Sequence, residues 1–116
     1  MLQGISTQAR VSGNGYEMWC LRGAVVERRR LRIGLHLEEI KTYVQASHPT
    51  GSSVTKGAIS AALRGLVRMQ ITLNVRPTVL DFDSSANILR VVDRGLLLWL
   101  DYQPEADVLD LIDTSP

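Results

Sequence analysis

Up to Gln70 the apolar residues of this chain recur at spacings of three and four, and from Ile71 to Val92 they alternate. The first spacing belongs to helices and the second to half-buried strands. A chain that changes period in this way is expected to be α+β, with helices leading, a hairpin following and the chain closing in helix.

Tyr16, Trp19, Cys20, Gly23 and Val26 outline a first helix over about residues 15–30, with Asn14 and Glu17 spaced as in a capping box. It ends in Arg28-Arg29-Arg30, where cations favour the negative end of the helix dipole. Leu31-Arg32-Ile33 reads as a small strand that Gly34 breaks. Leu37, Ile40, Tyr43 and Val44 give a second helix over roughly 36–46. Residues 47–53 combine Pro, Gly and small hydroxyl side chains and form a turn.

The third helix is capped by Ser53 or Thr55. Ile59, Ala62, Leu63 and Leu66 form its buried face, while Lys56, Ser60, Arg64 and Arg68, four residues apart, share another. Ile71-Thr72-Leu73 then reads as extended. Thr78 to Phe82, after Pro77, and Ile88 to Val92 form a hairpin around the tip Ser84-Ser85-Ala86-Asn87. Asp93 caps a short helix containing Leu96-Leu97-Leu98-Trp99-Leu100, apolar nearly all round. Pro104 opens a last helix from Glu105 to Ile112.

With 116 residues, 45% of them hydrophobic and 22% charged, the chain suits one domain with a real core. We place it at residues 14–112, between an N-terminal arm at 1–13 and a frayed tail at 113–116. The single cysteine, Cys20, makes no internal disulfide, and the start of the chain lacks the pattern of a secretory signal. A cytoplasmic setting is expected.

The net charge of +1 conceals a split: residues 1–78 carry +7 and residues 79–116 carry −6. Such a split suits a basic face toward a polyanion, or docking of acidic onto basic surfaces. It is equally what two halves of one domain would show when they pair.

The order of elements resembles a winged helix-turn-helix domain over about residues 15–100: a three-helix core, a two-stranded hairpin wing and a C-terminal helix. The resemblance is carried by Gly34-Leu35-His36-Leu37-Glu38-Glu39-Ile40 at the second helix and by residues 54–66 at the third. There a small or hydroxyl residue opens the helix, and a Leu-x-x-Leu pair, Leu63 and Leu66, ends it. The stretch Ile88 to Asp93, followed by Leu97-Leu98-Trp99-Leu100, is similar to the wing and closing helix of winged-helix modules attached to bacterial and archaeal ATPases. The chain departs from the pattern in its long turn at 45–53, in Gly57 and Gly65 within the third helix, and in a wing that carries Asp81 and Asp83 with no cation at its tip. Gly65 is read as a place of close packing.

The resemblance implies binding of double-stranded DNA in a transcriptional regulator. Arg reads guanine edges in the major groove and Lys binds phosphate or guanine, so Lys56, Ser60, Arg64 and Arg68 would be the reading row. Ser53 and Thr55 at the helix start, and Arg28, Arg29 and Arg30, would contact phosphate. The plain alternative for the row is a solvated helix face. A second function remains open: a protein-docking or oligomerisation module without DNA, serving an ATPase or larger assembly. A homodimer through the first and last helices is expected, with Trp19 and Trp99 as interface anchors; core packing is the competing role for both rings.

Catalysis has little to stand on. His36 lacks a second histidine four residues on, His48 sits in a turn as an ordinary surface residue would, and Cys20 falls on an apolar stripe. Asp81 and Asp83 share a face of a regular strand but read as a solvated loop end. No phosphate-binding glycine loop or Cys-x-x-Cys pair occurs. An enzyme, a metal site and a cofactor are not expected.

Overall fold

The computed structural model describes residues 13–73, 79–112 and 114. All of the expected arm except Gly13, all of the expected tail except Thr114, and the Pro77-Thr78 start of the first hairpin strand lie outside them. The described residues form an α+β fold: α1 (Glu17–Val26), a 3-10 turn (Arg28–Arg30), β1 (Leu35–His36), α2 (Leu37–Ser47), a second 3-10 turn (Gly51–Ser53), α3 (Lys56–Thr72), β2 (Leu80–Asp83), β3 (Ile88–Val91), α4 (Arg94–Tyr102) and α5 (Glu105–Asp110).

Helices α1, α2 and α3 pack on one another, and their shared interior holds Cys20, Leu21, Ala24, Ile40, Val44, Ile59, Leu63 and Leu66. The first helix is shorter than its apolar pattern suggested and is buried around much of its surface, through Met18, Cys20, Leu21, Ala24 and Val25. Its neighbours are α2, α3 and α5, so one stripe cannot describe it. The Asn14–Glu17 pairing is present, as a turn ahead of the helix. The Glu17 carboxylate accepts from Asn14 N at 2.9 Å and Gly15 N at 3.2 Å, and Asn14 Nδ2 reaches across to the Ala58 carbonyl at 2.9 Å.

The sheet is antiparallel in the order β1-β3-β2. Leu35 pairs with Leu89, and β2 runs from Leu80 opposite Val91 to Asp83 opposite Ile88. The strand expected at residues 31–33 is instead a turn, and the strand lies at Leu35–His36. Three alternating residues are too few to separate strand from turn. Gly34 begins this strand rather than ending one: its φ is +132°, and a Cβ there would meet Ile88 Cγ2 at 2.5 Å. The extended segment expected at residues 71–73 is likewise corrected. α3 continues to Thr72, and Leu73 N still donates to the Met69 carbonyl at 2.9 Å. Tertiary packing along α3 outweighs the weak strand preference of Ile71 and Thr72.

The other ends follow their capping residues. His36 caps α2, with Nδ1 accepting from Glu38 N at 3.1 Å and the Glu39 carboxylate accepting from His36 N at 3.2 Å. Thr55 Oγ1 accepts from Ala58 N at 3.1 Å and Asp93 Oδ1 from Leu96 N at 2.9 Å. The last helix stops at Asp110, where Arg22 Nη1 donates to the Leu109 carbonyl at 2.9 Å. That places a cation from α1 on the negative end of α5. Among the described residues no helix is long and apolar enough to cross a membrane.

Candidate nucleic-acid interface

The site is built on α3. Ile59, Ala62, Leu63, Leu66, Met69 and Gln70 are buried, which turns the other side of the helix outward. Lys56, Arg64 and Arg68 are exposed and Ser60 is half-exposed. Successive members of this row are rotated by about 40°, so it winds slowly across the outer face. Arg64 Nε donates to the Ser60 carbonyl at 3.4 Å, joining two members of the row.

Toward its C-terminal half the row meets the sheet. Arg64, Val67, Arg68 and Phe82 line an open cleft of about 490 Å³ between α3 and β2. Phe82 was not singled out from sequence. Its signal is the alternation of β2: Leu80 is buried, so Phe82, two residues on, belongs to the same sheet face. Asp81 is exposed on the other face, with Arg90 as its register partner. Regular alternation also puts Asp83 on that side, but the Asp83 carboxylate is engaged in the hairpin tip. It accepts from Ser85 Oγ at 2.7 Å, Ser85 N at 3.0 Å and Ala86 N at 3.2 Å. These bonds, the Ser85 hydroxyl first, hold its carboxyl below the ordinary aspartate range.

The remaining expected contacts are dispersed. Ser53 is exposed, but its hydroxyl donates to the Thr50 carbonyl at 2.7 Å, and the Thr55 hydroxyl accepts the helix cap. In the Arg28–Arg30 turn only Arg29 is exposed without an ion pair or buried nitrogen among the described contacts. Arg30 pairs with Glu39, at the start of α2. Arg28 is half-buried, and its Nη1 is enclosed with no hydrogen-bond partner among the described residues. This turn packs against α4, whereas the α3 row adjoins β2.

The turn between α2 and α3 is ordered by contacts that the sequence did not announce. His48 is half-buried rather than on the open surface, with its ring edge-on to Tyr16 and Trp19 at centroid distances of 5.1 and 5.2 Å. Its Nδ1 accepts from Thr50 N at 3.0 Å. Gly51 is needed for close approach, since a Cβ there would collide with the Gln45 carbonyl oxygen. Trp19 therefore braces the turn that delivers α3, while Trp99 lies on α4 and is 40% exposed. Among the described residues no group of three or more His, Cys, Asp or Glu side chains is placed to hold a metal ion.

Comparison with protein-family models, with curated proteins and with solved structures gives no match.

Proposed function

We propose that this chain is a winged-helix module that binds duplex DNA as part of a transcriptional regulator, with α3 lying in the major groove. The observation that carries this reading is the row of Lys56, Ser60, Arg64 and Arg68, which starts beside the buried stripe of α3 and winds to the side opposite it at Arg64 and Arg68. A major groove about 12 Å wide admits one helix and offers guanine edges to Arg and phosphates to Lys. The element order and the β1-β3-β2 sheet beside α3 support the winged-helix assignment. Asp81, one of the two acidic residues that argue against a wing near phosphate, is on the sheet face away from Phe82 and the arginine cleft.

The test is binding to mixed-sequence duplex DNA at two salt concentrations, with Arg64→Ala and Lys56→Ala as variants. We expect affinity that falls steeply with salt, and a loss of about tenfold for each variant at unchanged thermal stability. Unchanged affinity in both variants would remove α3 from the interface.

A second reading, a winged-helix module that docks on protein without DNA and serves an ATPase or larger assembly, is favoured by the hairpin tip. Residues 83–87 present one carboxylate and no cation, so they offer phosphate nothing to bind. Absence of duplex binding at low salt selects it.

A further inference from the structure

Helix α4 buries only one side. Leu100 is 5% exposed, and Leu96 and Leu97 are half-buried against the core. At about 100° per residue, the direction opposite Leu100 holds Gly95, Leu98, Trp99 and Tyr102. Gly95 is exposed, and the three large side chains are 57%, 40% and 79% exposed. A helix apolar nearly all round is expected to bury both sides, in its own core or against a second molecule; among the described residues this side has no cover. Its residues stand at i, i+3, i+4 and i+7, the spacing of a helix–helix seam.

We propose that this seam pairs antiparallel with the same seam of a second copy of the chain. The stripe complements itself when reversed. A two-fold axis between positions 98 and 99 sets the large Tyr102 over Gly95 of the second copy, and Leu98 against Trp99 of the second copy. The charges beside the seam select a copy of this chain over an unrelated protein. Arg94 and Asp101 are both exposed and fall on the same flank, next to Leu98. Seven residues apart, they are separated by about 10 Å along one helix, too far to pair within it. Antiparallel docking brings each Arg94 to Asp101 of the other copy, and the symmetry makes this contact twice. Parallel docking would put the two Arg94–Asp101 flanks on opposite sides of the seam, and neither contact would form. Arg32, whose Nη2 is 3.6 Å from Asp101 Oδ2, adds a cation to the same flank without filling both carboxylate oxygens. One nine-residue helix gives an interface at the small end of the specific range, so the dimer should dissociate at micromolar concentrations. The proposal is independent of DNA binding by α3.

The test is sedimentation of the full chain from micromolar to near-millimolar concentration, with Arg94→Asp and Asp101→Arg made separately, together in one chain, and mixed as two singles. We expect the wild type to dimerise and each single variant to weaken dimerisation by about tenfold or more, because like charges then meet twice. The double variant and the equimolar mixture of singles should both recover, since each restores two opposite-charge contacts. Far-UV circular dichroism verifies the fold of each variant. If a charge variant fails to fold, Leu98→Glu, at a position 57% exposed, is expected to be folded and monomeric. A wild type that stays monomeric throughout overturns the proposal and leaves the seam to another protein. Singles that lose association without recovery on mixing, or a dimer indifferent to Leu98→Glu, overturn it as well.

Discussion

Gln70 and Leu80 bond to each other as two strand residues would: Gln70 Nε2 donates to the Leu80 carbonyl at 2.9 Å, and Gln70 Oε1 accepts from Leu80 N at 2.8 Å. The same oxygen accepts from Val79 N at 2.8 Å. Gln70 is completely buried, so a side-chain amide at the end of α3 stitches the start of β2 to the helix. Gln70→Leu keeps the volume and removes all three bonds, stranding buried backbone groups that cost about 1–3 kcal/mol each. We expect a loss of about 3 kcal/mol, read from the urea midpoint at unchanged slope. A loss under about 1 kcal/mol would mean that the sheet alone holds β2.

Two helical glycines should respond oppositely to alanine. A Cβ at Gly65 would make only ordinary contacts, 3.7 Å to Glu17 Oε2 and 3.9 Å to Met69 Cε, so the close packing read from sequence is not required there. Gly65→Ala should stabilise by about 0.5–1 kcal/mol through helix propensity. At Gly23 the Cβ would sit 2.9 Å from the Tyr43 ring, so Gly23→Ala should destabilise by about 1–3 kcal/mol through overpacking. Thermal melts of the two variants should move in opposite directions.

Cys20 is fully buried, and desolvation, with a smaller contribution from the nearby Glu17 carboxylate, pushes its thiol well above the ordinary range. The folded thiol is therefore neutral and unreactive at pH 8, where the unfolded chain should react readily with a thiol reagent. A raised folded pKa gives stability that is complete below the unfolded value, about 8.5, and is lost as pH rises above it. Wild-type stability should fall there at up to about 1.4 kcal/mol per pH unit from this group, and Cys20→Ala should show a shallower alkaline decline. Equal declines for both proteins would disprove the linkage.

Asp81 tests which sheet face approaches the duplex. It opposes Arg90 on the face away from Phe82, so Asp81→Asn should leave duplex affinity within about twofold while Arg64→Ala reduces it about tenfold. A gain of about tenfold in Asp81→Asn would place phosphate across the Asp81–Arg90 face instead.

Much of this architecture is legible in the sequence. Ile59, Leu63 and Leu66 announced the buried face of α3, and the outward row followed from it, because helical period sorts residues onto faces without reference to neighbours. Thr55 and Asp93 marked helix starts because a cap acts within three residues. The misread elements are those where the deciding contacts are distant in sequence. Gly34 opens a strand because β3 lies against it, and α3 runs through Thr72 because packing sustains it.

The sequence by itself determined the helical faces, the caps, the hairpin tip and the charge split, since each depends on local spacing or on totals. Only the tertiary structure decided what shares a site. It placed Phe82 beside Arg64 and Arg68, removed Arg30 to Glu39, set His48 between Tyr16 and Trp19, and left Leu98, Trp99 and Tyr102 uncovered on α4. The physical reason is that a residue's role at a surface depends on which other elements compete for its side chain, and competition across the fold has no local signature.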